Sequence, residues 1–459
     1  MQRTYRAALV GLLGAGLLGN APAASEPLRA TYVVMGADGQ AIARVITDEA
    51  SCPAITLDGQ TQAMSVRAAP AIVPQRGGAQ KDGKEADFPV LTCESYLPKE
   101  VRDIQVSGQR LPSPQAAPQR IVIIGDTGCR MKQSENAFQD CNDTEKWPFA
   151  QVAEQAARMK PDLVIHVGDY HYRESPCPEG RVGCSGSPWA YGFDAWDADF
   201  FQPAKSLLAA APWVVVRGNH ESCFRAGQGW FRFLDPSPWT TERSCDRPAQ
   251  DKLGDYSEPY AVPIAADSQL IVFDSSKAAG KAYGPSDEPF LRYREELQQA
   301  ARLAQERPHS LFLNHHPILA FAPQLGTDGR MTIKPGNAAL QSVMSSGQPQ
   351  RLFPPGVDAA LHGHVHLFQA ISFASDHPAT FVSGNGSSAT DKALPPTLPA
   401  GSQPAPGATV DEFFTSSDIG FLTMDRSGPN WLLTEWNRAG KASLTCLLYG
   451  SKSHCTPAK

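Results

Sequence analysis

The chain has 459 residues, 42% of them hydrophobic and 19% charged, and a formal net charge of −6. This balance excludes a wholly disordered chain and a polytopic membrane protein, and it offers no basic platform for nucleic acid or an anionic membrane surface. The length predicts two domains, or one large domain with additions.

At the N-terminus, Arg3 and Arg6 precede an apolar run from Ala7 to Gly19, and Ala21-Pro22-Ala23 offers a small-residue cleavage site. The pattern predicts an export signal over residues 1–23, its apolar part too short to span a bilayer. No Cys follows the run to carry a lipid. The expected location is therefore periplasmic or secreted, without membrane contact once the signal is removed. Ten cysteines follow, at Cys52, Cys93, Cys129, Cys141, Cys177, Cys184, Cys223, Cys245, Cys446 and Cys455. An even set behind an export signal reads as disulfides. Sequence alone leaves their connectivity open; nearest-neighbour pairing is the expectation, and thiolate zinc binding is the rival, which lacks a CxxC pair.

Residues 28–115 hold short β-type runs, Ala30–Val34, Ile42–Thr47, Met64–Arg67, Pro89–Thr92 and Val101–Val106, separated by polar stretches. They predict a small N-terminal β-sandwich domain, and Leu111–Pro118 reads as a linker. From residue 119 to 459 the texture changes. Ile121–Ile124, Leu163–Val167, Trp213–Val216, Leu270–Phe273 and Ser310–Leu313 are continuous apolar runs, as strands buried on both faces are. Helical spacing over Phe149–Met159 and Glu288–Glu306 alternates with them, which gives an α/β (α+β) class with a largely buried sheet. The Pro-rich stretch Ala393–Gly407 reads as a surface excursion. Phe421–Asp425, Trp431–Glu435 and Ser443–Leu448 read as a closing antiparallel meander.

Chemistry gathers where the buried strands end. Successive strands run into Gly125-Asp126-Thr127-Gly128, Gly168-Asp169-Tyr170-His171-Tyr172, Gly218-Asn219-His220-Glu221, Asn314-His315-His316-Pro317 and His362-Gly363-His364-Val365-His366. Ligands of open α/β sheets collect at such strand ends. Each piece alone has a plainer reading: an Asp after a strand is commonly a helix cap, Gly-Asn-His a turn, and His-x-His an exposed strand edge. Asp126, Asp169, Asn219, His315, His364 and His366 in this order, at five strand ends, are not explained that way.

In these blocks the sequence resembles the calcineurin-like metallophosphoesterases over roughly residues 120–390, and more narrowly the purple acid phosphatases. The resemblance implies the metallophosphoesterase fold, a β-sandwich flanked by helices, and an accessory β-domain before it. Most of the superfamily has a metal-binding His where this chain has Gly128; purple acid phosphatases fill the vacancy with a Tyr, and Tyr172 stands at that spacing. A phenolate is a hard anionic donor suited to ferric iron; a buried core tyrosine is the plain alternative. Carried over, the resemblance implies one metal, Fe(III), on Asp126, Asp169, Tyr172 and His366, and a second, Fe(II), Zn or Mn, on Asp169, Asn219, His315 and His364, with Asp169 bridging. A carboxylate can bridge two cations ~3.5–4 Å apart that clamp a phosphate and supply a hydroxide nucleophile. The resemblance places His220 against the substrate phosphate, as charge stabiliser or proton donor, with a buried supporting His as the plain alternative. His171 and His316 are candidate substitutes for substrate-facing histidines that larger relatives carry and this chain lacks. His362 is expected to pack. The implied function is acid-phosphatase-like hydrolysis of small phosphate monoesters by a metal-activated hydroxide. The alternatives are a phosphodiesterase or nucleotidase on the same metals, or a non-catalytic phosphate-binding surface module.

Overall fold

The computed structural model describes residues 28–76, 83–326 and 328–458; the export signal expected over residues 1–23 lies outside them. Arg120–Ile124, Leu163–His166 and Trp213–Val215 run parallel at the centre of an eleven-stranded sheet. Ser268–Val272, His309–Leu313, Val357–His362 and Ala379–Ser383 run parallel within a seven-stranded sheet. The side-chain alternation of each strand explains the layering. Ile121 and Ile123 share an inner core with Ile165, Val214, Leu311 and Leu361 of the two sheets. Val122 and Ile124 turn the other way and share a core with helices Phe149–Arg158 and Gln202–Leu208. On the far side, Ile271, Phe312 and Ala360 share a core with helices Glu288–Leu303 and Ala338–Gly347. A strand covered on both faces must be apolar at every position, which is why these segments are unbroken apolar runs. The result is a mixed α/β molecule, a β-sandwich flanked by helices. Each Ile or Val buried in the seam contributes roughly 1.5–3 kcal/mol.

The expected N-terminal β region is present, and it shares the large sheet. Leu28–Met35 lies beside Trp213–Val215, with Val34 opposite Trp213, and Ala41–Thr47, Leu91–Tyr96 and Ser65–Ala68 extend the sheet outward. A four-stranded sheet of Gln109–Leu111, Ile104–Val106, Ala54–Leu57 and Gln60–Ala63 covers it, with Ile55, Ile104 and Val106 in one core with Val33, Ala43 and Val45. Strand pairing thus runs continuously from this region into the rest of the chain. Buried Arg44 and Arg67 strengthen the junction. Both pair with Glu94, at 3.0 and 2.9 Å. Arg44 also donates to the carbonyls of Phe233 and Asp235, and Arg67 to those of Phe231 and Asp235.

All ten cysteines pair as nearest neighbours: Cys52–Cys93, Cys129–Cys141, Cys177–Cys184, Cys223–Cys245 and Cys446–Cys455. The last bond joins the third meander strand, Ala442–Tyr449, to a fourth, Lys452–Pro457, that the sequence reading did not anticipate. Ala393–Gly407 has no strand or helix, yet it is not a loose excursion. Leu394 and Ala405 are buried, and Pro404 O accepts from Gly336 N at 3.1 Å and Gln341 Nε2 at 2.7 Å. No described helix is long and apolar enough to cross a membrane.

Candidate metal centre

The register of the two sheets brings their strand ends to one rim. Ile124 lies opposite His166 and His166 opposite Val215 in the first sheet, Leu313 opposite Leu361 in the second. The loops that follow carry Asp126, Asp169 and Asn219 from one side, His315, His364 and His366 from the other. Asp126, Asp169 and His364 have φ of 56°, 59° and 68°. Left-handed backbone at a non-glycine residue costs of order 1–2 kcal/mol and collects at functional sites. The adjoining glycines are small because the site is crowded: a Cβ on Gly218 would collide with Asp169, and one on Gly363 would sit 2.5 Å from Asp126 Oδ2.

The donors form two groups that share Asp169. In the first, Tyr172 Oη lies 2.8 Å from Asp126 Oδ1, 2.9 Å from Asp169 Oδ2 and 2.8 Å from His366 Nε2, and His366 Nε2 lies 3.2 Å from Asp126 Oδ1. One phenol proton can serve only one of these acceptors. Burial, then the carboxylates of Asp126 and Asp169, push the Tyr172 phenol well above its ordinary range. A cation among these oxygens reverses that balance, so the donor set fits a hard metal ion. In the second group, His315 Nε2 lies 3.1 Å from both Asp169 Oδ2 and Asn219 Oδ1, and His364 Nδ1 lies 2.9 Å from Asn219 Oδ1. Asp169, His315 and His364 each offer a donor atom within 4.8 Å of the other two. Burial opposes the charge on Asp169, but the imidazoles of His315 and His220 hold its carboxyl well below the usual carboxylate range.

Backbone contacts orient the imidazoles. His315 Nδ1 is 2.9 Å from Val167 O, and His366 Nδ1 is 2.7 Å from Ala389 O, which leaves each Nε2 for the centre. His362, expected to pack, is buried with Nδ1 3.1 Å from Asn314 O. Two further buried carboxylates set the loops. Glu221 accepts from the N–H groups of Gly218, Asp169, Tyr170 and His171 at 2.9–3.2 Å. Asp199 accepts from those of Cys129, Tyr172 and Arg173 at 2.7–3.1 Å and pairs with Arg173 Nε. The sequence reading gave neither a role. Glu221 was visible beside His220, whereas nothing near Asp199 marks it.

The three histidines expected near substrate part company. His220 is buried beside the centre, Nε2 3.8 Å from Asp169 Oδ2 and Nδ1 2.8 Å from Glu174 Oε1. Burial and the Arg225 cation draw it down to about 4. Glu174 also pairs with Arg225; neither residue was anticipated. His316 stands at the centre's edge, its ring 4.3 Å from that of His364, with Nδ1 3.2 Å from Ser275 Oγ. His171 does not join them. Its ring sits between Tyr191 and Trp196, and only its carbonyl reaches His220, at 3.0 Å. Backbone clamped by Glu221 turns the His171 side chain into the aromatic core.

The position expected to lack a histidine is closed. A Cβ on Gly128 would lie 2.7 Å from Tyr170 O, 2.8 Å from Tyr172 N and 2.9 Å from Asp199 Oδ2. The Tyr172 backbone occupies the space that any side chain at 128 would need.

A family profile described as Calcineurin-like phosphoesterase matches residues 119–368. Among solved structures, a purple acid phosphatase isolated from yellow lupin (Lupinus luteus) seeds is similar with a TM-score of 0.55 and 16% identity, over 93% of this chain and 74% of that one. The structure of PhoD is similar with a TM-score of 0.52 and 11% identity, over 96% of this chain and 94% of that one. At these identities the likeness is one of fold. No curated protein sequence matches the chain.

Proposed function

Because the chain belongs to the calcineurin-like phosphoesterase family, whose fold serves metal-dependent phosphoester hydrolysis, we propose that it cleaves small phosphate monoesters using two cations that share Asp169. The observation that carries this reading is the convergence of two donor groups on Asp169, whose Oδ2 lies 2.9 Å from Tyr172 Oη and 3.1 Å from His315 Nε2. Asp126, Asp169, Tyr172 and His366 would hold the first cation, ferric iron by its oxygen-rich donors. Asp169, Asn219, His315 and His364 would hold the second, iron, zinc or manganese. When bound, the pair supplies Lewis acidity for the phosphate oxygens and lowers the pKa of water.

The chain's own groups do the rest. His220 is placed by Glu174 on the flank of the centre, where its imidazole meets the phosphate or the departing alkoxide. Asp199 and Glu221 hold the loops so that no donor has to move when charge develops. Five disulfides suit an exported protein, and we assign the chain to the periplasm or the extracellular space, with an acid optimum and no nucleic-acid or membrane partner.

A panel of monoesters, diesters and nucleotides, assayed at several pH values, tests this. Turnover is expected chiefly on monoesters at acid pH; turnover confined to diesters would move the assignment to a phosphodiesterase, and none on any substrate would leave a phosphate-binding module. In the same panel, His220→Ala should slow alkyl phosphates roughly 10²–10⁴-fold while touching nitrophenyl phosphate far less, as loss of a proton donor does. Equal losses would assign His220 to phosphate binding instead.

A further inference from the structure

Beside the centre, on the His364 side, lies a cleft of about 280 Å³. Asn219 and His364, donors of the second group, line it together with Lys334. We propose that this cleft receives the alcohol portion of the ester and selects substrates in which that portion is compact and carries a second anionic group, a carboxylate or a phosphate, with Lys334 as the specificity-determining cation. The inference rests on the phosphoesterase reading above and names the substrate class for that centre.

The walls are built rather than incidental. Gly336 passes so close to Ile318 that a Cβ would overlap the Ile318 carbonyl. Asn337 donates its N–H to Pro317 O at 2.9 Å and Nδ2 to Ala279 O at 3.0 Å, while Oδ1 caps the following helix at Leu340 N. Phe321 is pinned through both backbone groups to buried Gln369, at 3.1 and 2.8 Å. These contacts fix Pro317 and Phe321 as apolar sides around a small chamber.

Charge in the cleft has one sign. No carboxylate lines it. Lys334 ends the Ala322–Leu325/Met331–Lys334 hairpin, and its side-chain ammonium has no ion pair or hydrogen bond among the described residues. Arg225, which does not line the cleft, is already paired with Glu174, so its charge is taken. Among the residues that line the cleft Lys334 is the one lysine or arginine, so a substrate phosphate held at Asn219 and His364 shares the cleft with a cation that no lining carboxylate offsets. The volume lies at the small end of ligand sites, which suits a few-carbon alcohol rather than a nucleoside.

The test compares matched esters on the metal-containing full chain: ethyl phosphate, phosphoglycolate, which replaces the methyl group by a carboxylate, and 1,2-ethanediol bisphosphate. For each protein the readout is kcat/KM on the anionic ester divided by kcat/KM on ethyl phosphate, so leaving-group differences cancel between proteins. An exposed pair of this kind is worth roughly a two- to fivefold preference, so K334A should lower the ratio by about that factor and K334E should lower it further. Added salt should shrink the wild-type ratio. A fall on phosphoglycolate alone assigns the second anion to a carboxylate, and a fall on the bisphosphate alone to a phosphate. Ratios identical in wild type, K334A and K334E would overturn the subsite while leaving the phosphoesterase intact. No turnover of any ester by the wild type would overturn both readings.

Discussion

Gly128→Ala probes the most unusual local feature of the centre. Gly128 is not among the left-handed glycines, so alanine meets no conformational penalty there; the cost is steric. The new methyl would lie 2.7 Å from Tyr170 O and 2.8 Å from Tyr172 N, both backbone atoms that cannot rotate away. Overpacking of this kind costs ~1–3 kcal/mol. Relief requires the 170–172 backbone to move away, which breaks the 2.7 Å bond from Tyr172 N to Asp199 Oδ2, a charge-assisted bond worth ~1.5–3 kcal/mol. The combined loss is about 2.5–6 kcal/mol, with Tyr172 displaced from Asp126 and Asp169. Thermal unfolding should fall by several degrees, and metal analysis should show the first cation depleted before the second. Gly347→Ala is the control: it has nothing within 4 Å and no left-handed φ, so it should be neutral or slightly stabilising. If Gly128→Ala matched Gly347→Ala in both stability and metal content, the claim that the Tyr172 backbone fills position 128 would be wrong.

Other perturbations read separate parts of the account. A phenolate on ferric iron absorbs visible light, so purified protein should be coloured and Tyr172→Phe should bleach it; an active, colourless protein holding only zinc or manganese would contradict the iron assignment. The Cys129–Cys141 bond closes a 12-residue separation worth about 3 kcal/mol in the chain-entropy model, and Cys129 N is tied to Asp199. Reduction should therefore weaken metal retention before global unfolding, and simultaneous loss of the two would argue against it. Burial raises Glu435 from 4.5 to about 7, so the folded state keeps its proton longer than the unfolded chain does. The resulting penalty is absent below pH 4.5, grows between pH 4.5 and 7, and is full above that, at ~3 kcal/mol. Glu435→Gln should therefore raise thermal stability at pH 8 and leave it unchanged at pH 4; a pH-independent difference would refute the assignment.

The strands and the rim were legible because burial on both faces writes unbroken apolar runs, and because Asp, Asn and His at successive strand ends have no common structural cause. What stayed hidden acts at long range or through backbone. Nothing local announces that Val34 lies beside Trp213, so the N-terminal β region looked separable. Asp199 binds N–H groups, which every residue has, and so leaves no pattern. His171 follows Asp169 by two residues, and only the clamp of Glu221 on that loop decides that its ring turns toward Trp196. The Ala54–Leu57/Gln60–Ala63 hairpin was missed although Asp58 and Gly59 both have positive φ and spell a two-residue turn that the sequence states openly.

The central claim is that Asp169 belongs to two cation sites at once, and metal stoichiometry tests it most directly. Apoprotein titrated with zinc, manganese and iron, with content checked by elemental analysis, should take up two equivalents per chain. Asn219→Ala should lose the second equivalent while keeping the first, and Asp169→Asn should lose or severely weaken both, with circular dichroism confirming that each variant is folded. A single equivalent in the wild type, or two that persist undiminished in folded Asp169→Asn, would contradict the shared centre.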